Sequence, residues 1–103
     1  MSVPALVSLL FFDVTSLDYQ LYDCSDELFK RARLVFKNGY RLSIVIGPFS
    51  YGGRDGLFEI AIITPEGNID DSALDDADQS GSGVLGYCDV NTVRYYISKI
   101  SEL

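Results

Sequence analysis

The residues of this chain with the most potential for chemistry are carboxylates. Nine acidic residues and no Lys or Arg lie between Asp55 and Asp89. Paired carboxylates can act as general acid and base in hydrolysis. However, the chain contains no His, which removes the commonest general base and metal ligand. It also lacks a Gly-x-Ser-x-Gly motif and a Walker A motif. We therefore predict a binding protein with no catalytic residue and no cofactor.

One run of alternating acids has the spacing of a calcium loop. Asp76, Asp78 and Ser80 would supply oxygen ligands at positions 1, 3 and 5, and Gly81 stands at position 6. The twelfth position is Tyr87, where such a loop needs a bidentate Glu. Because alternating acids arise readily in an Asp- and Ser-rich loop, we predict a hydrated loop without a metal site. A calcium-dependent module is the alternative for this stretch.

The same acids predict a charged partner. The chain has 15 acidic and 8 basic residues, and its formal net charge of −7 is concentrated in this stretch. Nucleic acid binding needs a basic footprint, so we predict no direct contact with nucleic acid. The predicted partner is a protein with a basic surface; the alternative is that the acids serve only solubility. The predicted partner-binding acids are Asp70, Asp71, Asp75, Asp76 and Asp78.

A second candidate contact lies in the loop at residues 47–56, which holds four glycines and a proline. Phe49 and Tyr51 stand in this loop, and Arg54 adds a positive charge. An apolar ring exposed on a loop tip is typical of a binding site. The alternative is that both rings fold back over the open end of the sheet. We predict that Phe49, Tyr51 and Arg54 contribute to partner binding.

The elements that position these residues follow from turn signals and hydrophobic periodicity. Asn38-Gly39 between two β-rich runs predicts a hairpin whose two turn positions both need positive φ. Residues 57–64 predict a third strand, residues 65–68 a turn, and residues 84–88 a short extended segment. The stretch Asp70–Gly83 predicts an exposed loop, because it is rich in Asp, Ser and Gly.

A C-terminal helix is the clearest element. Asp89 is a suitable N-cap for residues 90–102. Residues 17–22 fit either a strand or a helical turn, and residues 26–31 could form a short helix with acids first and bases last. The predicted fold class is α+β, an antiparallel sheet of three to five strands packed against the C-terminal helix. The helix would pack through Val90, Val93, Ile97 and Ile100, with Tyr96 and Leu103 beside them.

The 103 residues correspond to one domain, residues 1–103. We predict that residues 1–32 are an N-terminal extension, whose apolar start could form an arm that pairs with a second subunit. Residues 33–103 would hold the hairpin, the third strand, the acidic loop and the helix. No apolar run approaches the about 20 residues that cross a bilayer, so we predict no membrane span. Cys24 and Cys88 match no zinc or redox spacing, and we expect a reducing compartment, the cytoplasm.

The chain contains three motifs, Asn38-Gly-Tyr-x-x-Ser-Ile-Val, Gly47-Pro-x-Ser-Tyr-Gly and Gly56-Leu-Phe-Glu-Ile-Ala-Ile. These motifs resemble those of small, mostly uncharacterised accessory proteins of tailed bacteriophages. Val84-Leu-Gly-Tyr87 before a terminal helix resembles a further one. The resemblance covers about residues 33–103 and leaves the acidic loop unmatched. It implies a fold and an origin but no active site. Such proteins often bind host machinery or host defence systems, which implies a host protein as partner and the host cytoplasm as location.

Together these observations predict a small acidic phage protein that inhibits or redirects a host protein by stoichiometric binding. An anti-CRISPR or other anti-defence inhibitor and a mimic of duplex phosphates both fit that description. The alternative from another class is a self-associating structural phage protein, in which the N-terminal arm builds a homodimer or a larger oligomer.

Overall fold

The computed structural model of the protein describes residues 19–23 and 25–103. Within them, five antiparallel strands form one sheet in sequence order, and an α-helix follows the last strand. The predicted α+β class is therefore confirmed, whereas the N-terminal arm and Cys24 lie outside the described residues. The strands are β1 (Tyr19–Asp23), β2 (Lys30–Phe36), β3 (Arg41–Ile46), β4 (Phe58–Ile63) and β5 (Val84–Cys88), and the helix is α1 (Val90–Ser101).

One face of the sheet is apolar because buried residues alternate along β2, β3 and β4 and stand opposite one another in register. Helix α1 covers this face through Val93, Tyr96 and Ile100, which are fully buried. The predicted helix stripe is confirmed at its centre, but Leu103 is 49% exposed because the helix ends at Ser101. The core also contains Ala32, Leu34, Phe36, Leu42, Ile44, Phe58, Ile60, Ile62, Leu74 and Cys88.

Both ends of α1 are capped by side chains. The Asp89 carboxylate accepts a hydrogen bond from the Thr92 N–H at 2.8 Å, which confirms the predicted N-cap. At the other end, the Asn38 amide donates to the carbonyl oxygens of Ile100 at 2.8 Å and Leu103 at 3.2 Å. Asn38 therefore ties the β2–β3 turn to the helix C-terminus.

That turn differs from the predicted two-residue hairpin. Residues 37–39 form a three-residue loop, in which the Phe36 N–H bonds to the Tyr40 carbonyl at 2.8 Å and the Gly39 N–H to the Phe36 carbonyl at 3.0 Å. Gly39 has a φ of +91°, whereas Asn38 does not have a positive φ. The prediction that both turn positions need positive φ is therefore wrong, because a longer loop places one glycine alone in the left-handed region.

The sheet begins earlier than the sequence predicts. Residues 19–23 form β1 and residues 30–32 begin β2, so an extension reaching residue 32 is wrong. The predicted helix at residues 26–31 is also wrong. The Asp26 carboxylate instead accepts the N–H groups of Leu28 and Phe29 at 2.9 and 2.8 Å in a tight turn. Lys30 and Arg31 then pair with β3, since cross-strand pairing outweighs a weak local preference.

Neither α1 nor the short 3-10 turns of the described residues are long and apolar enough to cross a membrane.

Candidate functional site

The predicted acidic loop, which we call the aspartate-rich segment (Asp70–Gly83), is attached to the body of the protein. It forms two 3-10 turns, Asp71–Ala73 and Asp76–Asp78. Between them, Leu74 is only 2% exposed and joins the core between the sheet and α1. The Gln79 side chain donates to the Leu74 carbonyl at 2.9 Å and closes the second turn. The segment is thus largely exposed, as predicted, but one apolar residue anchors it.

Asp75 fixes the segment to α1 by polar contacts. Its carboxylate accepts hydrogen bonds from the Lys99 ammonium and the Tyr95 hydroxyl, each at 2.7 Å. The bond from Lys99, and then that from Tyr95, holds the pKa of Asp75 below its usual value of 3.8. The same contact raises the pKa of Lys99. Asp75 is therefore one half of an internal ion pair.

Tyr96 makes the deeper connection. Its ring is fully buried, and its hydroxyl accepts the Asp75 N–H at 3.0 Å and donates to the Asp78 carboxylate. Burial, followed by the hydrogen bond to Asp78, raises the pKa of Tyr96, so the hydroxyl stays protonated. A buried hydroxyl needs such partners, because an unsatisfied polar group in a core is costly. Asp78 thus accepts the hydrogen bond that the buried Tyr96 hydroxyl donates.

These contacts leave fewer of the predicted aspartates available to bind a partner. The carboxylates of Asp75 and Asp78 are bonded to α1. The Asp70 carboxylate accepts the Ser72 N–H at 2.9 Å and caps the first 3-10 turn. The carboxylates of Asp71 and Asp76 make no hydrogen bond or ion pair within the part of the chain that the structure describes. Residues 19–23 and 25–103 contain no group of three acidic or sulfur side chains that could hold a metal ion.

The glycine-rich loop presents its rings to solvent at the end of the sheet where β3 leads into β4. Phe49 is 75% exposed and Tyr51 59% exposed. The alternative in which both rings fold back over the sheet is therefore not what the loop adopts. The Phe49 ring lies near a neighbouring turn, with its centroid 6.4 Å from that of Phe29.

The backbone of this loop is fixed by hydrogen bonds. The Ser50 hydroxyl bonds to both the N–H and the carbonyl of Gly47, at 2.9 and 3.0 Å. The Tyr51 N–H donates to the Glu59 carboxylate at 2.9 Å, and the Arg54 Nε donates to the Pro48 carbonyl at 3.3 Å. The exposed rings are therefore carried by an ordered backbone.

Tyr87 is the residue that the sequence did not identify for this site. It is 62% exposed and is the only non-glycine residue of the described chain with a positive φ, at +56°. Its strand carries an extra residue there, since Phe58 pairs with Cys88 while Ile60 pairs with Leu85. A bulge position in the left-handed region is normally taken by glycine. A bulge signal was present in the sequence, because Gly86 interrupts the strand.

Close backbone approach brings Tyr87 beside the loop. The Tyr87 N–H donates to the Tyr51 carbonyl at 3.1 Å. A Cβ at Gly52 would stand 2.8 Å from the Tyr87 Cα, and one at Gly86 would stand 2.3 Å from the Tyr51 Cβ. These two glycines are therefore required for the contact. We call Phe49, Tyr51, Tyr87 and Arg54 together the aromatic tip.

A pocket of about 340 Å³ opens at the aromatic tip. Phe49 and Tyr87 are among the residues that line it, and Arg54 and Asp55 contribute opposite charges. The guanidinium of Arg54 is held by one bond to the backbone, and no ion pair joins it to Asp55. The tip thus joins exposed rings, a concave surface and charged groups, as protein contact sites commonly do.

Cys88 offers no nucleophile. It is 2% exposed and unpaired, and burial, with smaller effects of nearby carboxylates, raises its pKa to about 12. Because the thiolate is the reactive form, this thiol is inert near neutral pH.

Fold and tip together define a small α+β domain with an ordered, exposed aromatic surface. In comparisons with known proteins, no protein-family model, no curated protein and no solved structure matches the chain.

Proposed function

We propose that this chain is a stoichiometric protein-binding domain, not an enzyme, and that the aromatic tip is its main contact with the partner. The observation that carries this proposal is Tyr87, a large exposed ring on a left-handed backbone. Backbone strain of this kind occurs preferentially at functional sites. The aromatic residues Trp and Tyr are among those that dominate interface energetics.

The ordered loop supports the same function. A partner that binds a surface already held in place does not have to order it, so less free energy is lost on association. The hydrogen bonds of Ser50, Tyr51 and Arg54 provide that order here. Two rings beside a pocket of about 340 Å³ would let a partner side chain insert between them.

The partner is a protein with a basic surface. The net charge of −7 attracts such a surface over distance and raises the association rate. The carboxylates of Asp71 and Asp76 have no partner among the described residues, so they are the acids best able to meet it. The resemblance to phage accessory proteins favours a host protein in the host cytoplasm, with inhibition of a host defence system, an anti-CRISPR activity included, as the outcome.

The test begins with capture of the partner from a bacterial host lysate on the tagged full chain. The purified partner is then titrated calorimetrically against wild type, Phe49→Ser and Tyr87→Gly. Truncating an interface anchor costs about 2 kcal/mol or more, so each Kd should rise about 30-fold. Ile69→Ser is the matched control, because Ile69 is 58% exposed and lies at the opposite end of β4.

Unchanged Kd values for both tip variants would refute the proposal, as would failure to capture any partner. The variant Asp71→Asn/Asp76→Asn separates the charge from the rings. It should slow association at low salt, and that effect should vanish at about 500 mM salt, where screening acts within about 4 Å.

A further inference from the structure

The basic residues of the protein are as concentrated as its acids. Residues 30–46, which form the β2–β3 hairpin, contain five of the eight Lys and Arg and no acidic residue. Residues 55–89 contain nine acids and no Lys or Arg. The chain thus contains a basic hairpin and a separate acidic stretch, and the fold determines which surface displays each.

Three arginines of this hairpin lie on the sheet face that points away from α1. Buried Ala32, Leu34 and Phe36 face the core, so the alternate residues Arg31 and Arg33 face the other way. Arg33 pairs with Ser43, and Arg41 stands two positions from Ser43 on the same strand. Arg33 and Arg41 are therefore diagonal neighbours, about 7–8 Å apart at the backbone. We call Arg31, Arg33 and Arg41 the arginine face.

Two of these three arginines have no ion-pair partner among the described residues. Arg31 is 3.7 Å from the Asp26 carboxylate and lies over the Phe29 ring at 4.7 Å. Arg33 and Arg41 have no ion-pair partner within residues 19–23 and 25–103. Arg33 is also exposed. An unpaired arginine pair on a strand surface is suited to carboxylates, which it can bind through paired hydrogen bonds.

The acidic groups that could pair with this face belong to the same chain but lie on the other side of the sheet. The aspartate-rich segment packs through Leu74 and Tyr96 on the α1 side. The carboxylates of Asp71 and Asp76 have no partner there in the described structure. Because the sheet separates the two surfaces, they cannot meet within one molecule. We propose that the arginine face binds the aspartate-rich segment of a second copy, in a head-to-tail contact.

Repulsion between two chains of charge −7 does not prevent this contact near physiological salt. The shortest extent of the molecule is 23 Å, about three Debye lengths at about 0.15 M salt. Charges that far apart are largely screened, whereas an arginine and a carboxylate in contact are not. Association should therefore be strongest at intermediate salt, and weaker both at very low salt and at about 500 mM. This inference does not depend on the aromatic tip.

Sedimentation equilibrium of the full chain, from about 10 µM to about 1 mM, tests the proposal. A head-to-tail contact leaves one surface of each kind free at the ends, so the average mass should rise past twice the 11.4 kDa of one chain. Arg33→Glu/Arg41→Glu and Asp71→Lys/Asp76→Lys should each remain monomeric. An equimolar mixture of the two variants should regain association, because each supplies the complement of the other.

The controls reverse the same amount of charge elsewhere. Lys30→Glu/Lys37→Glu changes the start of β2 and the turn of the same hairpin, and Glu27→Lys/Glu102→Lys changes exposed acids outside the aspartate-rich segment. Both should associate as wild type does at about 0.15 M salt. Circular dichroism of each variant checks that it is folded.

Three results would overturn the proposal. The first is a wild-type monomer at every salt and concentration. The second is association that survives in both charge-reversal variants, which would assign it to another surface. The third is a wild-type monomer whose arginine face binds heparin or a single-stranded oligonucleotide and loses that binding in Arg33→Glu/Arg41→Glu, which would make a polyanion the occupant.

Discussion

Replacing Tyr87 by glycine should make the protein more stable than replacing it by alanine, although alanine is normally the more stabilising residue. Tyr87 has a φ of +56°, in the left-handed region that glycine adopts without a Cβ clash. Both substitutions remove the ring and its contacts, so those losses cancel between the two variants. What remains is the effect of one Cβ on the folded backbone and on the unfolded chain.

The magnitude follows from these two effects. A left-handed backbone costs a residue with a Cβ about 1–2 kcal/mol. Glycine loses about 0.5–1 kcal/mol more than alanine on folding, because its unfolded chain is freer. With the midpoints of these two ranges, the glycine variant should be the more stable by about 0.75 kcal/mol. At about 4–8 °C per kcal/mol in a domain of this size, its Tm should be about 3–6 °C higher.

Urea unfolding followed by circular dichroism measures both variants, and Ser98 supplies the control. Ser98 is exposed in the last turn of α1, where the backbone is still helical. At that position glycine should be about 1 kcal/mol less stable than alanine, because helices favour alanine. The sign of the glycine–alanine difference should thus reverse between residues 87 and 98.

If the alanine variant at residue 87 is as stable as the glycine variant or more stable, the prediction is wrong, because no left-handed strain is then present at this position. Binding provides the second measurement. Both variants lack the ring and should bind the partner about equally weakly. A glycine variant that is more stable than the wild type and binds the partner more weakly would identify Tyr87 as a residue retained for binding at the expense of stability.

Three further outcomes follow from the contacts of the aspartate-rich segment and the core. Leu74→Ala should lower the free energy of unfolding by about 2–5 kcal/mol in urea titrations, because it removes a buried side chain that anchors the segment; a change below about 0.5 kcal/mol would contradict that anchor. The Asp75 pKa is depressed, so its bonds stabilise the fold above pH 3.8 and are lost as the pH falls through the lower folded pKa. Asp75→Asn should remove that part of the acid dependence of unfolding, Asp76→Asn should keep it, and equal curves for the two variants would oppose this assignment. In a Cys24→Ser background, Cys88 should react with a thiol reagent at pH 8 only as fast as the protein opens, because its pKa is about 12; reaction at the rate of a free thiol would show an accessible thiolate.

Local signals predicted much of the fold. Asp89 before the apolar stripe of α1 predicted the helix start, because an N-cap acts on the N–H groups of its own first turn. The third strand and the hairpin likewise followed from residues adjacent in sequence. The helix prediction at residues 26–31 was wrong because Lys30 and Arg31 pair with β3. The residues next to a segment do not indicate which strand it will pair with.

The candidate site was predictable only in part. Phe49 and Tyr51 were identified from the glycines around them, which mark an exposed loop. Tyr87 was not identified, because its place at the tip comes from a bulge between β4 and β5. The five aspartates were found as a group, but the sequence did not separate those bonded to α1 from those left unpaired. That division depends on Tyr95, Tyr96 and Lys99, about 20 residues away.

The sequence by itself determined the charge of the protein, the absence of histidine chemistry and the alternation that makes a one-sided sheet. These properties depend on residue type and on neighbours in the chain, which the sequence states directly. Only the tertiary structure decided which charges remain unpaired and which rings share a surface. It neutralised Asp75 with Lys99, brought Tyr87 beside Tyr51 and placed the arginine face across the sheet from the aspartate-rich segment. Such pairings join residues distant in sequence, and packing against a common core sets them.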